Sequence, residues 1–168
     1  MSGAIYGEAF ITHEYDEAIA IQRALVKAAE ALAGDHPHAA SRQTIQASLA
    51  DDRAFLRQLE RLGKRRGATG KAEDVAESMQ TLMEKTASKA SDAESEAYEA
   101  HAVLLSLKRK QQDSGAAMLK IARAHKDTEA RDVALEFSRQ IKVSAKALGD
   151  ALADFAVVIA GRTKAPAS

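Results

Sequence analysis

The chain has 168 residues, with 24 Lys and Arg balanced by 24 Asp and Glu, so it carries no net charge when its histidines are neutral. That balance argues against general nucleic-acid binding, which draws on a basic surplus. The absence of cysteine removes disulfides, thiolate metal sites, c-type haem attachment and thiol nucleophiles.

No apolar run reaches 18 residues, so no membrane span is expected. The opening MSGAIYGEAF lacks a basic region and a long apolar core, so a secretory signal is not expected and the cytoplasm is the default location. Alanine is abundant, aromatics are 4%, and proline occurs only at 37 and 166. This composition points to an all-α fold. The length fits one domain, 8–161, between a loose arm (1–7) and a frayed tail (162–168).

The first helix is expected from Glu8 to Ala33, on a stripe of Ile11, Ala18, Ile21, Leu25, Ala28 and Leu32. GDHPH (34–38) ends it, with Gly34 as a left-handed cap and Pro37 in the first turn of the next helix. The second helix is expected from His38 to Arg66, on Ile45, Leu49, Leu56 and Leu59, with the basic run 64–66 at its C-terminus. Asp52 lies in the line of that stripe, at the middle of the helix.

Val75, Met79, Leu82 and Met83 predict a shorter helix over 71–88, followed by a kink or loop at 86–93. A third long helix follows from Asp92 to His125, with Ala97, Leu104, Leu107, Met118 and Ile121 inward and a chemical interruption at QQDSG (111–115). The fourth spans Thr128 to Gly161 on Val133, Phe137, Ile141, Leu148, Leu152, Phe155 and Ile159, with Thr128 as its cap. Short links make two antiparallel hairpins, and the long middle connection permits a crossover. The fold class is therefore all-α, an antiparallel four-helix bundle with an extra short helix in the connection between the second and third long helices.

The two halves align at an offset of 89 residues, pairing Gln22 with Gln111, Ala28 with Ala117, Leu32 with Ile121, His36 with His125 and Phe55 with Ser144. ALAGDHPHAASRQTIQASLADDRAFLRQLERLG resembles the first hairpin of the ferritin-like superfamily. MQTLMEK (79–85) and EAYEAH (96–101) are similar to the region leading into the third helix of its rubrerythrin and YciF-like branch. The resemblance implies a dimeric, stress-associated bacterial protein.

It also implies a di-iron or di-manganese centre, built from a Glu on each of two helices and a Glu-x-x-His on each of the other two. This chain contains no Glu-x-x-His. Asp52 is followed three residues later by Phe55, and the matching positions on the fourth helix are Ile141 and Ser144. Gln22 and Gln111 fall at the same level. The expectation is the fold without the metal centre, with Gln22, Asp52, Gln111 and Ser144 forming a hydrogen-bonded polar layer, since buried polar groups must be paired. The alternative is an atypical metal site of Glu14, Asp52, Glu99 and His101.

The remaining candidates are weaker. His13 and Glu17 share the polar side of the first helix, and His36 and His38 flank Pro37 facing solvent. His101 is a core or interface histidine. LGKRRG (62–67) and LKRK (107–110) are solvated helix faces. No Ser/His/Asp spacing, P-loop or dinucleotide glycine pattern appears, so catalysis is not expected. The leading expectation is a non-enzymatic bundle acting through protein–protein association, as a homodimer. A metal-binding oxidoreductase or iron-handling protein is the first alternative. A phasin-like amphipathic surface-coating protein is the second.

Overall fold

In the computed structural model the described residues are 5–72, 78, 81 and 92–162. They contain four long helices and no strand: α1 (Glu8–Asp35), α2 (Ala39–Arg65), α3 (Ala93–Ala124) and α4 (Thr128–Ala160). The expected short helix over 71–88 and the kink at 86–93 fall almost wholly outside the described residues, as do most of the expected arm and tail.

Three local expectations are corrected. Gly34 does not take a left-handed cap; it stays within α1, and His36 ends the helix in an extended conformation. The QQDSG stretch does not break α3. Gly115 is accommodated because α4 passes close by, and a Cβ there would lie 2.9 Å from Phe137 Cδ1. The cap of α4 is Asp127 rather than Thr128, its carboxylate accepting from the Ala130 amide at 3.0 Å. A carboxylate at that position satisfies an orphan N–H and meets the positive end of the helix dipole. Asp92 caps α3 in the same way, accepting from Glu94 and Ser95.

Contacts between helices fix their directions. His36 meets His101 at one end of α1, and Glu8 approaches His125 at the other, so α1 and α3 are antiparallel. Ser41 meets Ala151, and Arg65 meets Asp127, so α2 and α4 are antiparallel. Within each hairpin the helices are antiparallel by connectivity. It follows that α2 and α3 run the same way, and the chain leaving Arg66 must travel the length of the bundle, ~40 Å, to reach Asp92. Around the bundle the order is α1, α2, α4, α3, with α1/α4 and α2/α3 as diagonals.

Two apolar clusters fill the interior. One holds Leu25, Ile45, Leu104 and Leu148, one from each helix and each fully buried. Burying each such side chain contributes roughly 1.5–3 kcal/mol. The other holds Ile19, Leu59, Met118, Phe137 and Ile141, with Phe55 and Phe137 stacked face to face. Between the two lies a band of buried polar side chains: Gln22, Ser48, Asp52, Lys108 and Gln111.

The far end of the bundle is tied by charge. Arg66 donates to Glu8 at 3.0 Å and to Asp127 at 3.2 Å, and the Thr12 hydroxyl donates to the Arg66 carbonyl at 2.8 Å. Arg61 and Arg65 both reach Glu129. The basic run at the end of α2 thus holds the start of α4. The chain then turns through Gly70, at φ +71°, whose amide donates to Asp16 at 2.7 Å. A side chain at Gly70 would strain the backbone and collide with Ile19 and Arg23.

Candidate functional site

The polar band is organised around a lysine whose charged neighbours predict a solvated face. Lys108, in the run LKRK, is 1% exposed. Its ammonium donates to both carboxylate oxygens of Asp52, at 2.6 and 2.7 Å, and to Ser144 Oγ at 3.2 Å. Ser48 donates to Asp52 Oδ2 at 3.3 Å. The pair lies on the α2/α3 diagonal, so it bridges two helices that are not neighbours around the bundle. Lys108 turns inward because it lies four residues after Leu104, one α-helical turn along the same face.

The amides form the second half of the band. Gln22 Nε2 donates to the Asp52 backbone carbonyl at 3.0 Å. Gln111 Nε2 donates to Gln22 Oε1 at 2.8 Å and to the Ala18 carbonyl at 2.9 Å. Gln111 Oε1 is buried without a hydrogen-bond partner among the described residues. Gln22 and Gln111, the pair related by the 89-residue offset, therefore touch each other. The same offset carries Asp52 onto Ile141 and Lys108 onto Ile19, both members of one apolar cluster. One diagonal carries charge where the other carries hydrocarbon.

Burial acts against both charges of the pair. It holds the Asp52 carboxyl above its ordinary range and the Lys108 ammonium below its own, each opposed by the partner's charge. Such a pair fixes helix register better than it adds stability.

The four residues expected in a polar layer, Gln22, Asp52, Gln111 and Ser144, are thus brought together, around the unforeseen Lys108. The signal that would have identified Lys108 is its spacing from Leu104 on the inward face. Adjacent Arg109 and Lys110 masked it by making the run look uniformly exposed.

The alternative metal set is not brought together. His101 lies beside His36, near the end of α1, whereas Glu14 is 22 residues earlier on the same helix, ~33 Å away. Glu99 is exposed and Asp52 is engaged by Lys108. Among the described residues no three His, Asp or Glu side chains are arranged to hold a metal ion. A di-iron or di-manganese centre does not fit the residues at the waist. They offer one carboxylate, two amides and two hydroxyls, and an ammonium already neutralises that carboxylate.

A second buried polar cluster lies at the opposite end from Arg66. His36, expected to face solvent, is completely buried, as is His101. The His38 amide donates to His36 Nδ1 at 3.1 Å, His36 Nε2 lies 3.2 Å from His101 Nδ1, and His101 Nε2 lies 3.1 Å from the Leu148 carbonyl. His38 is only half-buried, with Nδ1 2.9 Å from Ser41 Oγ and its ring stacked on Phe155. Pro37 precedes α2 instead of entering it. His13 is exposed, and Glu17 pairs with Lys110 at 3.1 Å, so they form no site.

No helix among the described residues is long and apolar enough to cross a membrane. The chain matches no protein-family profile, no curated protein and no solved structure.

Proposed function

We propose that this chain is a non-enzymatic, ferritin-like helical bundle that works through association as a homodimer, and that the Lys108 ammonium stands where a metal cation would otherwise balance carboxylates. The observation that carries this reading is the closed Asp52–Lys108–Ser144 contact at the waist. A fixed organic cation answers the Asp52 charge, so the site demands no metal to satisfy it. The single end-to-end crossover supports the ferritin-like assignment.

The α2/α4 face supports the homodimer. It carries an apolar groove of about 500 Å³ lined in part by Thr44, Ala47, Val143 and Ala147. Val143 and Val157 on α4 are 72% and 73% exposed. Small residues on both helices allow a second copy to approach closely, and two-fold pairing would seat each copy's Val143 against the other's groove.

Two measurements test the proposal. Elemental analysis of protein purified from metal-supplemented medium is expected to show no stoichiometric iron, manganese or zinc. Light scattering after gel filtration is expected to give twice the 18.0 kDa chain mass, falling to one in Val143→Glu. Stoichiometric metal that is lost in Asp52→Asn would overturn the first half of the proposal, and a monomeric parent protein the second.

A further inference from the structure

The histidine cluster permits every proton in it to be assigned. The Leu148 carbonyl can only accept, so His101 carries its proton on Nε2 and presents a bare lone pair at Nδ1. His36 must then donate from Nε2, which leaves its Nδ1 free to accept the His38 amide. Likewise the Ala151 carbonyl takes the Ser41 hydroxyl proton at 3.2 Å, so His38 donates from Nδ1 to Ser41 Oγ. Both buried rings are neutral, each with one donated and one accepted bond.

There is no room for another proton on either buried ring. A proton added at His36 Nδ1 would point at the His38 N–H. One added at His101 Nδ1 would point at the His36 N–H. His38 differs, because a second proton there leaves its bond to Ser41 intact.

These bonds join three elements. The link between α1 and α2 is held by His36 to His101 on α3, and through His101 to α4. Phe155 of α4 closes the cluster, 4.9 Å from the His36 ring. Among the described residues the charged groups around the pair are few. From the link and α1 comes Asp35; from α2 come His38 and Arg42, which donates to the His36 carbonyl at 2.9 Å; from α3 comes Glu96. The contacts that α4 makes with the pair are the Leu148 carbonyl and the Phe155 ring. Directly beside His36 lies a groove of about 470 Å³ between α1 and α3, walled by Ala28, Leu32, Pro37, Ala97 and Val103.

We propose that the His36–His101 pair is an acid-operated latch, holding the 34–38 link onto α3 and α4 and releasing that end of the bundle, with its apolar groove, when either ring takes up a second proton. The Arg66–Asp127 end contains no buried histidine and stays closed. Burial, with His101 and His38 nearby, pushes the His36 imidazole down to about 4, so release belongs to acid conditions and the latch is shut at neutral pH. Burial lowers His101 in the same direction.

Hydrogen exchange read by mass spectrometry, corrected for the intrinsic pH dependence of exchange, tests the latch on the full chain. Between pH 7.5 and 4.5, protection of residues 33–42 and 97–104 is expected to fall at least tenfold more than that of residues 55–66 and 128–138. In the double variant His36→Phe, His101→Leu this difference is expected to vanish. Equal loss of protection everywhere, or an unchanged difference in the double variant, would overturn the proposal. Should that variant not fold, long-range ¹⁵N NMR of the wild type decides. Both rings must be neutral Nε2–H tautomers at pH 7, and a cationic ring or the other tautomer overturns the latch.

Discussion

Replacing Lys108 with Met tests whether the waist is held by a buried ion pair. Methionine matches the length and volume of the lysine stem but removes the ammonium. Asp52 then loses its contacts at 2.6 and 2.7 Å and keeps one side-chain partner, Ser48 at 3.3 Å, because Gln22 reaches its backbone carbonyl and not its carboxylate. An uncompensated buried carboxylate does not stay charged. Its affinity for a proton rises until it is neutral at pH 7, and the cost is that of protonating a group whose ordinary value is 3.8. At about 1.4 kcal/mol per pH unit, that is roughly 4 kcal/mol at pH 7, inside the ~3–5 kcal/mol expected for breaking a buried pair.

The sign follows from the raised folded-state value. The folded variant binds a proton that the unfolded chain has released. Its deficit is therefore largest at neutral pH and shrinks as pH falls towards 4, by about 1.4 kcal/mol per unit. Adding Asp52→Asn to Lys108→Met removes the stranded charge and is expected to recover all but ~1 kcal/mol of the parent stability. The positions reached by the 89-residue offset hold Ile141 on α4 and Ile19 on α1, both packed in an apolar cluster. Urea unfolding followed by circular dichroism at pH 5, 6 and 7 reads all three, provided the slope against denaturant is unchanged. A Lys108→Met cost under ~1 kcal/mol at pH 7, or a double variant no more stable than the single, would refute the buried-pair reasoning.

Other predictions rest on different contacts. Acidification is expected to destabilise the parent protein through His36. Its folded-state value of about 4 lies below the ordinary 6.5, so stability is full above pH 6.5 and falls by about 3 kcal/mol as pH drops to 4; urea midpoints of parent and His36→Phe should diverge over that window. Asp127→Ala is expected to cost ~1–2 kcal/mol by removing the α4 cap and the Arg66 partner, whereas Asp127→Asn keeps the cap and costs less, as thermal melts can show. Gly115→Ala is expected to destabilise by ~1 kcal/mol because its Cβ meets Phe137 at 2.9 Å, while Gly149→Ala, with Leu105 at 3.7 Å, is expected to stabilise by ~0.5–1 kcal/mol; parallel melts compare them.

The one-dimensional pattern determined the helices. Apolar residues at intervals of three and four placed all four long helices to within two residues at each end, and the crossover was allowed by the length of chain between Arg66 and Asp92. The pattern also placed Gln22, Asp52, Gln111 and Ser144 at one level, because position along a helix converts directly to height in a bundle. Helix caps were harder to read. Thr128 and Asp127 are both chemically able to cap, and the choice went to the residue that also meets Arg66 across the bundle.

Tertiary structure alone decided the rest. Spacing from Leu104 puts Lys108 on the inward face, but spacing alone does not bury a charge, and its neighbours Arg109 and Lys110 are charged too. Lys108 is buried because Asp52, 56 residues away, lies on the diagonal helix at the height its ammonium reaches. His36 and His38 look alike on either side of Pro37, yet one is sealed in the core and the other is half-buried at its edge. The distinction lies in their partners: His36 bonds His101, which bonds the Leu148 carbonyl, whereas His38 bonds Ser41 on its own helix. Periodicity sets which face a side chain occupies; whether a polar group can afford to be buried there depends on a partner supplied by a distant part of the chain.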